Sequence, residues 1–320
     1  MTAHRTASDI SSRPGRSVAD GRVLAIVGPT ATGKSDLAIE LALRLEGEVI
    51  NADSMQLYAG MDIGTAKVPL PERRDVPHHL LDIWPLAKSA AVAEYQTLAR
   101  AAIDDVLGRG LTPILVGGSG LYLRGALDHL EFPGESPEIR ARLYDELHER
   151  GPADLHERLR QLDPAAAAAI LPTNGRRIVR ALEVIDLTGR PFIATMPGFE
   201  YVYDCVQIGL DRGDLDQRVE QRVHRMMSAG FLDEIRLLLS EGLRASPTAG
   251  KALGYAQLLD VVDGLGRVVG DLDDAVERTI RGTRRFVRRQ RSWFRRDPRV
   301  VWFDAGTERL VEDVVRTLET

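Results

Sequence analysis

VGPTATGKSDLA, residues 27–38, carries the spacing G-x-x-x-x-G-K-S at Gly28, Gly33, Lys34 and Ser35. Glycines at such positions let successive backbone N–H groups curl around an anion at the start of a helix, where the helix dipole favours negative charge. Lys34 adds a cation, and the Ser35 hydroxyl offers a ligand for Mg²⁺. The motif has meaning only between a strand and a helix, and both are present. RVLAIVG before it is short, apolar and β-branched, and KSDLAIELALRL after it repeats apolar residues at helical spacing. Residues Gly28, Pro29, Thr30, Ala31, Thr32, Gly33, Lys34 and Ser35 are therefore the candidate phosphate cradle, with Ser35 the candidate metal ligand.

Outward from the cradle, GEVINAD reads as a second strand, and TPILVGG as a third after the helical stretch SAAVAEYQTLARAAIDDVLGRG. Strands alternating with helices imply an α/β fold, a doubly wound parallel sheet like that of P-loop NTPases, with helices on both faces. Over 135–198 the pattern changes to helices without strands, which predicts a helical insertion domain. CVQIGLD then returns to the sheet, a long amphipathic helix is expected around Leu215 to Leu239, and RVVWFDAG supplies a last strand. The expected organisation is a mobile tail over 1–20, the first part of the core over 21–134, the insertion, and the second part of the core over 199–320.

With 320 residues, 44% of them hydrophobic, the chain is long enough for a substantial core. A net charge of -5 argues against a uniformly basic coat and leaves any nucleic-acid contact to local patches. The single cysteine, Cys205, excludes an intrachain disulfide and a cysteine-built zinc site, and fits a reducing cytoplasm. No run of 18 apolar residues occurs, so no membrane-spanning helix is expected, and residues 1–20 lack the apolar centre of a signal sequence.

Nucleotide-hydrolysing members of this fold class place an aspartate at the end of a neighbouring strand to hold the metal. Here that strand ends ILVGG. An acid appears instead in VINADSMQLY, where Asp53 lies just beyond the second strand, at the sheet edge where ligands of such folds bind. A carboxylate there can hold metal, take a proton from a nucleophile, or cap the next turn.

Taken together, GPTATGKS, NADSMQLYAGMDIGTAK, PHHLLDI, LVGGSGLYLRGAL, NGRRIVRALEV, LDQRVEQRVHRMMSAGFLDEI, KALGYAQ and RRQRSWFR resemble the bacterial tRNA dimethylallyltransferases, also called tRNA isopentenyltransferases, in family order from about residue 22 to 303. The resemblance implies transfer of a dimethylallyl group from dimethylallyl diphosphate to N6 of adenine 37, beside the anticodon, with release of diphosphate. The cradle would then grip a leaving diphosphate, and no acid is needed to activate water. Asp53 matches the family's catalytic aspartate and would relieve the attacking amine of its proton. Lys34, Thr30, the loop amides, Mg²⁺ held partly by Ser35, and Arg222 would stabilise the charge that gathers on the leaving group. Arg218, Arg222 and Arg225 fall on one helical face. For Arg218 and Arg225 a solvated face paired with Asp216 and Glu220 is the simpler reading.

The same resemblance assigns tRNA contacts to Asp53, Ser54, Met55 and Gln56, to Ser119 (a family threonine, or else an ordinary helix cap), to Arg140, Arg176, Arg177 and Arg180 of the insertion, and to Gly254, Tyr255 and Gln257. Ala256 replaces a frequent Arg or Lys. Independently of any family, ten arginines and one acid lie between Arg278 and Arg299, which predicts a phosphate-binding helix. Phe286, Trp293 and Phe294 are interleaved there, either stacking on bases or packing into the core. The expected partners are the anticodon stem-loop of tRNA and dimethylallyl diphosphate, acted on by a monomer. Three rival readings are a P-loop small-molecule kinase, a prenyltransferase of free adenylate, and an RNA-binding switch with nucleotide as a structural ligand. The insertion and the arginine-rich helix favour tRNA.

Overall fold

A computed structural model describes residues 21–192 and 198–319; the expected tail, 1–20, lies outside the described residues. Six parallel strands form one sheet in the order β3-β2-β4-β1-β5-β6: β1 Val23–Val27, β2 Gly47–Asn51, β3 His78–His79, β4 Thr112–Gly117, β5 Cys205–Asp211 and β6 Val300–Asp304. The central strands β1 and β4 are buried over their whole length and largely apolar because both faces are covered. One face packs Val23, Ala25, Val27 and Ile50 with α2 (Val92–Gly108) and α3 (Gly120–Leu127). The other packs Leu24, Ile26, Ile114 and Ile208 with α1 (Lys34–Arg44) and α11 (Leu310–Leu318). Strand β3 was not expected: two histidines carry no periodicity, and pairing with Val49 and Ile50 alone defines it.

The chain divides into two compact units, 1–128 with 201–320, and 129–200, the second a few residues wider at each end than the expected insertion. That second unit holds α4 (Pro137–Leu162), α5 (Pro164–Ala169) and α6 (Gly175–Thr188) around Leu143, Leu155, Leu159, Ile178 and Leu182. Helix α4 is broken at Gly151, which precedes Pro152, and Asp163 caps α5 by accepting from the Ala166 amide at 2.9 Å.

The single long helix expected over Leu215–Leu239 is instead two, α7 (Leu215–Ser228) and α8 (Phe231–Ser240). Gly230 between them sits at φ 97°, a conformation that ends one helix and aims the next. Apolar periodicity runs through the break, which is why the sequence reads as continuous. Leu215, Val219 and Val223 of α7 pack against Val276, Ile280 and Val287 of α10 (Leu272–Phe294), the arginine-rich helix. Short α9 (Tyr255–Leu259) precedes it. Cys205 is half-buried, and burial pushes its thiol far up from the ordinary value. Among the described residues no helix is long and apolar enough to cross a membrane.

Candidate active site

The phosphate loop ends at Gly33, which caps α1 with its backbone and leaves the first-turn amides of that helix without a side-chain partner. These amides, Lys34 and Ser35 face a cavity of about 780 Å³ that is also lined by Thr30, Ala31, Asn51, Asp53 and Gln56. Gly28, Pro29 and Thr32 lie beneath it, buried: Thr32 Oγ1 donates to the Pro29 carbonyl at 3.0 Å, and Lys34 Nζ donates to the same oxygen at 2.5 Å. The loop is thus internally braced. Arg218, Arg222 and Arg225 all reach the cavity from α7, because Leu215, Val219 and Val223 bury the opposite side of that helix. For Arg218 the solvated-face reading fails, since its Nε donates to the Ala31 carbonyl at 2.8 Å; Arg225 is exposed, as that reading expects, although Glu220 pairs with Arg284 at 2.7 Å.

Three charges are coupled across this space. Burial, and secondly the charge of Arg222, bring the Lys34 ammonium down from its ordinary 10.5 to about 7, with the Asp53 carboxylate acting in the opposite sense. Burial also lowers Arg222, again against the pull of Asp53 and with Arg225 and Arg218 adding to the lowering. Asp53 is held at its base: its amide donates to Asn51 Oδ1 at 2.9 Å, and its own Oδ1 accepts from the Met55 amide at 3.0 Å. The turn-capping reading therefore holds, with one carboxylate oxygen serving the turn.

The glycines that replace the usual strand-end acid have a steric cause. A Cβ on Gly117 would lie 2.3 Å from the Ala52 carbonyl oxygen, and one on Gly118 would lie 2.2 Å from Gln290 Nε2. The segment carrying Asp53 and the side chain of Gln290 occupy the space an aspartate would need. Sequence reading missed Gln290. It is buried in α10, accepts from the Thr30 amide at 3.0 Å and donates to the Gly118 carbonyl at 3.0 Å, tying the cradle to the end of β4.

Among the described residues no cluster of three His, Cys, Asp or Glu side chains could hold a metal. The donor set at the cradle, a serine hydroxyl and one carboxylate, suits Mg²⁺, which keeps several waters and takes its remaining ligands from phosphate oxygens.

Ser119 stands at the N-cap of α3 yet makes no capping bond; its Oγ lies 3.4 Å from both the amide and the hydroxyl of Ser54. Met55 packs against the core. Two other assignments are corrected, and three more residues prove to be engaged within the protein. Tyr255 is fully buried and Gly254 is buried, so neither presents surface to RNA; Gln257 is half-buried, its Oε1 accepting from the Gly254 amide at 2.7 Å. Arg140 and Arg180 are engaged by fully buried Glu183 at 3.0 Å each, and Arg180 also donates to the Pro133 and Gly134 carbonyls. Burial alone would raise the Glu183 carboxyl, but the Ser136 amide and these arginines bring it below the usual range. Arg176 and Arg177 are exposed.

Along α10, Arg278, Arg281, Arg284, Arg291 and Arg295 form ion pairs with acids, as does Arg299 just beyond its end. Among the described residues Arg285, Arg288, Arg289 and Arg296 have no acidic partner and are exposed. The first three line a shallow groove with Gln257 and Ser292. Trp293 and Phe294 pack with the core, Trp293 so close that a Cβ on Gly120 would touch its indole nitrogen at 1.9 Å.

The family model described as IPP transferase matches residues 56–297, and one described as Isopentenyl transferase matches 21–77. A tRNA dimethylallyltransferase of Parafrankia sp. (strain EAN1pec) is 58% identical over 304 residues, spanning 95% of this chain and 94% of its own. The crystal structure of the full-length tRNA isopentenylpyrophosphate transferase from Bacillus halodurans is 38% identical with a TM-score of 0.67, covering 93% of this chain and 95% of that one. A eukaryotic dimethylallyltransferase described as acting on tRNA superposes with a TM-score of 0.72 at 28% identity, over 93% of this chain and 77% of that one.

Proposed function

Because this chain belongs to the IPP transferase family, that of the tRNA dimethylallyltransferases, we infer that it transfers the dimethylallyl group of dimethylallyl diphosphate to N6 of adenine 37 in tRNA. The N6–carbon bond forms as the carbon–oxygen bond to diphosphate breaks. The electron pair of that bond leaves with diphosphate, and the surplus N6 proton passes to Asp53. The observation that carries the reading is the shared cavity: Asp53, Lys34 and Arg222 face one space, and the charges of Asp53 and Arg222 both bear on Lys34. An exocyclic amine is a weak nucleophile, so a carboxylate placed to take its proton accelerates attack, by roughly 10²–10⁴-fold for a positioned base. Lys34, Arg222, Thr30 and the α1 amides stabilise the departing diphosphate. Ser35 would hold Mg²⁺ against it, and the metal would supply further charge neutralisation.

We place the enzyme in the cytosol, where its RNA is, and take it to act as a monomer on the anticodon stem-loop. Arg285, Arg288, Arg289 and Arg296, exposed and without an acidic partner among the described residues, support an electrostatic approach of the RNA backbone there, as do the exposed Arg176 and Arg177 of the insertion. The kinase reading needs no such surface. The test is to incubate the protein with radiolabelled dimethylallyl diphosphate and an unmodified anticodon stem-loop. Label in the RNA is expected. Labelling from γ-labelled ATP instead would overturn the reading in favour of phosphoryl transfer, and labelling only of free adenylate would favour the adenylate prenyltransferase.

A further inference from the structure

Glu234, on α8, faces the turn that ends the Asp53 loop. Its carboxylate accepts from three successive backbone amides, those of Asp62 at 3.0 Å, Ile63 at 2.5 Å and Gly64 at 3.2 Å. A fourth hydrogen bond comes from the hydroxyl of Tyr255 at 2.5 Å. Consecutive amides converging on one anion make a strong, geometrically specific anchor, since charge-assisted hydrogen bonds are about twice as strong as neutral ones. The turn is also seated sterically. A Cβ on Gly64 would lie 2.2 Å from the Phe231 ring and 2.5 Å from the Tyr255 ring, and those two rings pack edge to face at 4.9 Å.

From this anchor, bonds run back to the cavity. Gln56 Nε2 donates to the carbonyls of Thr65 at 3.1 Å and Ala66 at 3.4 Å, so the turn fixes how Gln56 stands. Buried Lys67 ties the turn to its surroundings through Asp62 at 2.6 Å, Asp82 at 2.5 Å and the Tyr58 carbonyl at 3.1 Å. Ala66, Leu80 and Asp82 hold positive φ angles of 50°, 60° and 57°. Backbone in that region persists in non-glycine residues only where neighbours over-determine it. Gln56 and Asp53 line the same cavity from the same loop.

We propose that Glu234 and Tyr255 are positioning residues that latch the 53–67 loop, so that Asp53 and Gln56 stand where the acceptor base arrives. On this account the GYAQ segment serves the reaction through the loop. Tyr255 bears on Glu234, and Glu234 bears on the turn. The kinetic part rests on the prenyl-transfer reading; the structural part does not.

Two conservative variants of the full chain test it, Tyr255→Phe, which removes only the hydroxyl, and Glu234→Gln, which removes the charge at constant size. Two readouts are needed: steady-state kinetics with separate KM values for stem-loop and donor, and backbone amide exchange of the peptide containing 62–64. Misplacing a catalytic group by about 1 Å costs on the order of a hundredfold. Expected are a kcat lower by about tenfold in Tyr255→Phe and about a hundredfold in Glu234→Gln, with donor KM within about twofold of wild type. The 62–64 amides should exchange at least about tenfold faster in Glu234→Gln. Unchanged exchange would overturn the latch. Faster exchange with unchanged kcat would show that the loop's order does not serve the chemistry. A donor KM rising in step with a falling melting temperature would make both residues merely structural. Failure of the wild type to label RNA would sink the functional reading, and the exchange result would still decide whether the latch exists.

Discussion

Gln290 and Thr30 stand 260 positions apart, yet the carboxamide oxygen of the first accepts the backbone N–H of the second at 3.0 Å. The arginine-rich helix is thereby fastened to the phosphate cradle. Replacement by alanine leaves the part-buried Thr30 amide and the buried Gly118 carbonyl without this partner, and an unpaired buried group costs about 1–3 kcal/mol. Gln290→Ala should raise donor KM by about tenfold and lower the melting temperature. Gln290→Glu restores the bond to Thr30 but sets an anion against the Gly118 carbonyl, and should bind donor more weakly still. Thermal melts and donor titrations check both.

Asp53 has two duties that asparagine can separate. Its Oδ1 holds the Met55 amide, and an Asn oxygen can keep that bond. Asp53→Asn should therefore leave stem-loop affinity within a few-fold of wild type while kcat falls by roughly a hundredfold or more, as loss of a general base does. Equal losses in binding and rate would give Asp53 a structural role only. Single-turnover rates with separately measured RNA affinity decide the matter.

Lys34, brought down to about 7 by burial and the charge of Arg222, makes diphosphate binding pH-dependent. Above pH 7 the free enzyme has lost this proton. A bound anion favours the ammonium form and raises its pKa, so binding at pH 8 must take up nearly one proton, and affinity falls as pH rises above 7. Calorimetry with inorganic diphosphate in two buffers of different ionisation enthalpy measures the uptake, which Lys34→Ala should abolish.

Arginines of α10 that look alike in sequence should differ in their effect on RNA. Arg284 is spent on Glu220 at 2.7 Å, whereas Arg285 next to it is exposed and has no acidic partner among the described residues. Arg285→Ala should reduce the slope of log affinity against log salt by about 1, and Arg284→Ala should leave it nearly unchanged. Stem-loop binding at four or more salt concentrations distinguishes them.

The cradle, the parallel sheet and Asp53 were legible in the sequence because each rests on local order: a fixed spacing, alternating strand and helix, an acid one step past a strand. Glu234 and Gln290 were not. Each lies in an ordinary helical repeat, and its importance comes from backbone amides 170 to 260 positions away. Arg140 and Arg180 of the insertion were hard to read for the converse reason. RRIVR reads as a basic cluster, but Arg180 answers a glutamate buried one turn further along α6, and Arg140 reaches the same carboxylate from α4. Charge counted along a chain does not distinguish a cation offered to a ligand from one neutralised inside the protein.

Cys205, half-buried and with its thiol pushed far up from the ordinary pKa, keeps its proton at neutral pH, the form less reactive towards maleimides. A fluorophore or spin probe attached to one introduced surface cysteine will consequently report from that place alone. Distances during RNA docking can then be followed without first stripping the native sulfhydryl.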